Sequence, residues 1–90
     1  AQVMPSPVVE LNRAVAVGMA FGPAAGLEIV ESLMGEASLK DYHLLPSVRA
    51  DLLGKLGRSE AARAEWKRAA NLTRNERERA LLLDRAGEGP

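Results

Sequence analysis

Cysteine is absent from the 90 residues, which excludes a disulfide framework, thiol catalysis and the commonest structural zinc sites. The single histidine leaves little from which to build another transition-metal centre, and no cofactor is expected. Aromatic residues are equally scarce, one each of Phe, Trp and Tyr, while twelve basic residues cancel twelve acidic ones. Neither a base-stacking platform nor a phosphate-attracting field is suggested, so direct nucleic-acid binding is not expected. No apolar run approaches the ~20 residues of a membrane-spanning helix. The opening AQVMPSPVVE has no basic cluster ahead of an apolar stretch and hence no secretory signal, so the expected address is the cytoplasm, with no membrane partner. Val, Ile and Thr are few and scattered, which removes the raw material of a sheet.

What is present is alanine and leucine in quantity, the residues that lose least on entering a helix. The length suits one small domain over 1–90. Ser6-Pro7 starts a first helix, expected over 7–21, since a hydroxyl can accept a bond from an orphan N–H and proline lacks a donor where none is needed. Its apolar positions (Val8, Leu11, Val15, Met19 on one track, Val9, Ala16, Ala20 on another) leave little to face water, and Ala14 and Gly18 offer flat patches for a close neighbour. Gly22-Pro23 ends this helix and begins a second, 23–34, with Gly26, Ile29, Val30 and Leu33 inward. A connection, GEASLKD, leads to a third helix, 42–56, in which Pro46 requires either a start near His43 or an irregular first turn. Leu45, Val48, Leu52, Leu53 and Leu56 form its buried stripe and Gly57 its terminator. Ser59 is the expected cap of a fourth helix, 60–72, with Ala62, Trp66, Ala69 and Ala70 inward. Thr73 and Glu76 have the spacing of a capping box for a fifth, 74–86, whose Ala80, Leu81 and Leu83 point to the core. Residues 1–5 and 87–90 should fray. Short turns between such helices make successive ones antiparallel, so the predicted fold is all-α, two helical hairpins and a closing helix.

Ala50, Leu53, Leu56, Gly57, Ala62, Trp66, Ala69 and Leu72 fall where a tetratricopeptide repeat keeps small, apolar, glycine and aromatic residues. The second hairpin therefore resembles such a repeat, and the chain a fragment of a TPR-like right-handed α-superhelix. The first hairpin fits loosely, with Gly22 at the turn and Gly26 or Leu27 at the small position but no aromatic. It reads as a degenerate repeat, and the fifth helix as a capping one. The strings SPVVELNRAVAVGMAFGPAAGLE and YHLLPSVRADLLGKLGRSEAARAEWKRA go further. They resemble the C-terminal extension of a group of bacterial extracytoplasmic-function RNA polymerase sigma factors that carry TPR-like helices after their promoter-binding regions. The likeness covers residues 5–86, with one departure: Phe21 stands where that family usually has an acidic residue before Gly22-Pro23.

His43, Ser47 and Asp51, at i, i+4 and i+8, invite thoughts of a nucleophile and its base. They are stacked along about 12 Å of one helix, with no implied oxyanion donors, and catalysis is not expected. In the repeat frame, Leu44, Ser47, Asp51, Gly54 and Lys55 resemble the first-helix positions that line the groove of peptide-binding repeat proteins. Asn12 and Arg13, within an otherwise apolar helix, and Arg49 in the third read either as a contact surface or as a polar cluster, with Glu10 or Asp51 as counter-ions. Gly22, Pro23, Gly26, Gly57, Ala62, Trp66 and Ala69 have structural readings. Arg63, Lys67, Arg74 and Arg77 alternate with Glu60, Glu65, Glu76 and Glu78, the pattern of a solvated, salt-bridged face.

The resemblance implies a non-catalytic regulatory domain of a sigma factor, whose grooved surface of helices one and three meets that factor's promoter-binding regions, core polymerase or a regulator. The alternative is a free-standing repeat adaptor that binds a peptide of another protein. Exposed repeat ends also suggest a homodimer through a terminal face.

Overall fold

The Ser6 hydroxyl accepts the Val9 N–H at 3.2 Å and Pro7 takes the first helical position, so α1 (Pro7–Phe21) begins as its capping residues require. In the computed structural model, which describes residues 6–87, α2 (Pro23–Leu33), α3 (Leu44–Lys55), α4 (Ser59–Leu72) and α5 (Glu76–Arg85) follow. Every regular element among the described residues is a helix, arranged as antiparallel hairpins, α1 with α2 and α3 with α4, joined by α2 against α3 and closed by α5 on α4. Of the segments expected to fray, 1–5 and 88–90 lie outside the described residues, and Gly87 is held in the turn that ends α5, its N–H donating to Asp84 O at 2.9 Å.

Gly22 joins the first two helices. Its φ of 103° is the left-handed region that a side chain strains to enter, and its N–H donates to Gly18 O at 3.0 Å. Pro23 then opens α2. The hairpin closes on backbone rather than on large side chains: a Cβ on Gly26 would stand 2.7 Å from Ala14 O and 2.9 Å from Gly18 Cα. Gly18 in turn lies against Leu52 of α3, so small residues on α1 and α2 bring three helices together.

The third helix resolves the difficulty posed by Pro46. Helical hydrogen bonding begins at Leu44, which places the proline in the first turn, where its missing N–H leaves nothing unsatisfied. A single 3₁₀ turn, Ala37–Leu39, sits in the connection expected to be irregular and buries Leu39 against the core. At the far end Gly57 (φ +80°) donates to Gly54 O, and Arg58 N reaches back to Leu53 O at 2.9 Å, the paired bonds of a Schellman terminus.

Two expected caps are corrected. Ser59 is the first residue of α4, not its cap, and no side chain caps that end, where Arg58 holds the cap position. For α5 the cap is Asn75, whose Oδ1 accepts the Glu78 N–H at 3.0 Å. Thr73 instead accepts from Asn75 N and donates to Glu78 Oε1 at 2.9 Å, so it shapes the turn before the helix, which starts two residues later than expected. Arg79 braces this turn by donating to Ala70 O and Thr73 O, both at 3.1 Å.

The core runs through Val30, Leu45, Pro46 and Leu53, with Ala62, Trp66, Ala69 and Ala70 of α4 against them. Each buried leucine contributes about 1.5–3 kcal/mol by leaving water. Three burial expectations fail. In α5 Leu82 is buried, whereas Ala80 and Leu81 face solvent and Leu83 is half-buried. Leu56 is exposed at the Schellman turn. Only Leu11 and Ala14 of α1 are buried, leaving Val8, Val9, Val15, Met19 and Phe21 in contact with water, because α1 touches neighbours along a single narrow side.

Candidate docking groove

Helices α1, α3 and α5 are each separated from the next by one antiparallel helix, so they run in the same direction and their free faces form one side of the molecule. A groove of about 430 Å³ lies between them. Its floor is Val48 and Leu52 of α3, Leu82 of α5 and Trp66 of α4, and Gly18 leaves room on the α1 side. Val15, Met19, Leu44 and Leu81 stand around the rim, exposed by 39, 81, 41 and 60% respectively. Large apolar side chains exposed singly are ordinary, whereas here four stand together around one concavity.

The polar groups of the groove are ordered along its length. At one end His43 Nε2 meets Glu78 Oε1 at 2.5 Å, which ties the start of α3 to α5. In the middle the Ser47 hydroxyl donates to His43 O at 2.8 Å, a helical back-bond rather than a link to the imidazole. Asp51 pairs with Lys55 at 3.1 Å. At the far end the Arg85 guanidinium lies over Trp66, 5.1 Å from the ring centroid, a cation–π placement that leaves it no carboxylate partner among the described residues. His43, Ser47 and Asp51 thus each serve a separate contact. No group of three His, Cys, Asp or Glu side chains among the described residues is placed to hold a metal ion.

Of the interaction residues read from the sequence, Leu44, Ser47, Asp51 and Lys55 come together here, because a spacing of three to four keeps them on one face of α3. Gly54, Asn12, Arg13 and Arg49 do not line the groove. Asn12 is exposed two turns before Met19. Arg13 is clasped by Glu10 of its own helix at 2.9 Å, which holds the Glu10 carboxyl below its ordinary pKa and raises that of Arg13, chiefly through the hydrogen bond between them.

Arg49 lies on another side of α3 and turns to neither expected counter-ion. It donates to Glu31 of α2 at 2.6 Å and lies 3.4 Å from the buried Glu65 of α4. The hydrogen bond to Glu31, followed by the charges of both carboxylates, raises its pKa against the opposing effect of desolvation. Glu65 Oε2 accepts no hydrogen bond, so its charge is balanced through space by Arg49, with Arg68 3.7 Å from the other oxygen. This cluster locks α2, α3 and α4 and is structural.

The first and third helices were the expected groove surface, but α1 enters it through Val15, Gly18 and Met19 rather than Asn12 and Arg13, and the α5 wall was not expected. Val15, Gly18 and Met19 share one face by their spacing, as do Glu78, Leu81, Leu82 and Arg85. That pattern was available, but it could not show that the two faces converge on α3.

Fold and groove together define a helical-hairpin protein with an open apolar channel across three parallel helices. No family model matches the chain, and no solved structure matches it. An uncharacterized protein of Rhizobium meliloti (strain 1021) is 46% identical over 81 residues, which is 90% of this chain and 19% of that protein. The chain thus spans about a fifth of the length of the curated relative it matches. No helix among the described residues is long and apolar enough to cross a membrane.

Proposed function

We propose that this chain is a non-catalytic, TPR-like protein-interaction domain of a cytoplasmic extracytoplasmic-function sigma factor. It modulates transcription initiation through contacts with the factor's promoter-binding regions, core polymerase or a regulator. The observation that carries the interaction role is the groove, whose four exposed apolar rim residues surround a pre-formed concavity on three helices. The sigma-factor attribution rests on the resemblance of the SPVVELNRAVAV, GPAAGL and YHLLPSVRADLL blocks. The relative's much greater length is compatible with a regulatory domain within a larger protein of that kind.

The test is calorimetric titration of the 90-residue chain with the promoter-binding portion of the sigma factor and, separately, with core polymerase. Saturable binding to either, weakened about tenfold by Met19→Asp on the apolar rim with the circular dichroism spectrum unchanged, is expected. An Arg13→Glu chain serves as the off-groove comparison and should bind like the unaltered one. Absence of binding to both would overturn the sigma-factor reading in favour of a repeat adaptor that takes a peptide from another protein.

A further inference from the structure

The groove also specifies the shape and charge of what fills it. We propose that its occupant is an amphipathic helix of a partner protein, lying antiparallel to α3 with acidic residues of its first turn over Arg85, at the Lys55 end of the groove. This rests on the docking role proposed above and adds the chemistry and direction of the bound segment.

The apolar surface is elongated. It follows α3 from Leu44 to Lys55, about 16 Å at 1.5 Å per residue, with Leu81 on one side and Val15 and Met19 on the other. A compact ligand seated on Val48, Leu52 and Trp66 would leave Met19 and Leu81 in water, whereas the apolar stripe of a helix about three turns long covers both. Met19, unbranched and the most exposed of the rim residues, can adjust to such a face.

The charges give the direction. The carboxylate of Glu78 stands at one end beside His43, and the cations of Lys55 and Arg85 stand at the other. Glu78 and Asp51 already have partners in His43 and Lys55, so Arg85, stacked on Trp66, is the groove charge left for an incoming carboxylate. The parallel run of α1, α3 and α5 also gathers their C-terminal ends, with their partial negative charge, near Lys55 and Arg85. A helix running the opposite way brings its positive N-terminus to that end, and acidic residues are most favourable in a first turn. Pairing with Arg85 and dipole alignment therefore select the same orientation.

The test uses three synthetic peptides of about 16 residues, long enough to lay three turns in the groove with residues to spare at both ends. One has a leucine stripe at helical spacing with Glu in its first turn and Lys in its last. A second has the same stripe with the charges exchanged, and a third has the first peptide's composition with the stripe scrambled. Binding is read from the fluorescence of Trp66, the sole tryptophan, and from amide shifts. The Glu-first peptide should bind about tenfold more tightly than the charge-exchanged one, and the scrambled peptide should not bind. Arg85→Glu, or Lys55→Glu if the first variant folds poorly, should abolish or reverse the preference. A spin label at the peptide N-terminus should broaden the amides near Arg85 and not those near His43.

Equal binding of the scrambled peptide, or an unchanged preference in both variants, would overturn the proposal. So would saturation of the groove by the small apolar dye ANS with no peptide bound, or sedimentation of the free chain as a dimer whose groove resonances shift on dilution. Failure of all three peptides defeats this inference alone, whereas failure of sigma factor and polymerase to bind defeats only the sigma-factor attribution.

Discussion

The two hairpins solve the same packing problem by opposite means. In the first, α1 and α2 approach so closely at Ala14, Gly18 and Gly26 that backbone touches backbone, and little side-chain surface is buried on α1. In the second, α3 and α4 are held by leucines, alanines and Trp66, a Schellman terminus, and the Arg49 cluster that reaches across to α2. The contrast teaches that a helix can be fixed firmly in place while most of its surface stays in water. Close contact through glycine needs a narrow strip, and it leaves Val15 and Met19 available to the groove.

Gly26→Val should break the comparison most severely, because its Cβ would collide with main chain that cannot yield. A loss of about 3 kcal/mol is expected, confined to the first hairpin, and hydrogen exchange should show α1 and α2 opening while α3 and α4 remain protected. Uniform loss of protection would mean that the halves do not differ in this way. Leu53→Ala, at the centre of the other half, should cost about 2–3 kcal/mol in denaturant unfolding and be felt throughout, since the second hairpin supports the first. Arg49→Ala should cost about 2 kcal/mol by leaving Glu65 buried beside fewer cations, and Glu65→Gln on that background should recover part of it. Asn75→Ala should remove about 1 kcal/mol with the loss of the α5 cap, whereas Ser59→Ala should be almost neutral.

The smallest effect concerns pH. Glu10 has its pKa lowered in the folded chain, so the Arg13 contact stabilises α1 above the ordinary carboxyl value of 4.5 and is lost as pH falls through the lowered one. An NMR titration of the Glu10 carboxyl should show its midpoint rising toward 4.5 in Arg13→Gln, and an unmoved midpoint would assign the shift elsewhere.

Much of this architecture was legible because helix boundaries are written in local chemistry. Ser6-Pro7, Gly22-Pro23 and Gly57 each fix a chain direction within a few residues, and the third helix begins where Pro46 permits. The failures share a physical cause as well. Leu81-Leu82-Leu83 offers three equivalent residues in a row, so periodicity cannot choose which one faces inward, and packing on α4 selects Leu82. Thr73 and Asn75 can both cap, and the choice follows from how Arg79 and Glu78 engage the turn. Arg49 finds Glu31 and Glu65 across long stretches of sequence, a pairing that no local pattern records. The α3 face of the groove was readable for the same reason as the helices. The participation of α1 was expected but not the residues it contributes, and the α5 wall was not expected at all, because convergence of three helices belongs to tertiary packing.

Arg79 has a consequence for time as well as for shape. By holding the last carbonyls of α4 from within α5, it makes the turn between them a brace, and the groove wall that bears Leu81 and Arg85 does not wait to be formed. On the docking role proposed above, a segment that meets this surface encounters a finished template, and its capture is governed by collision and orientation rather than by rearrangement of the host. Association at about 10⁵–10⁷ per molar per second follows from that regime, and differences among partners will be expressed in how long each one stays.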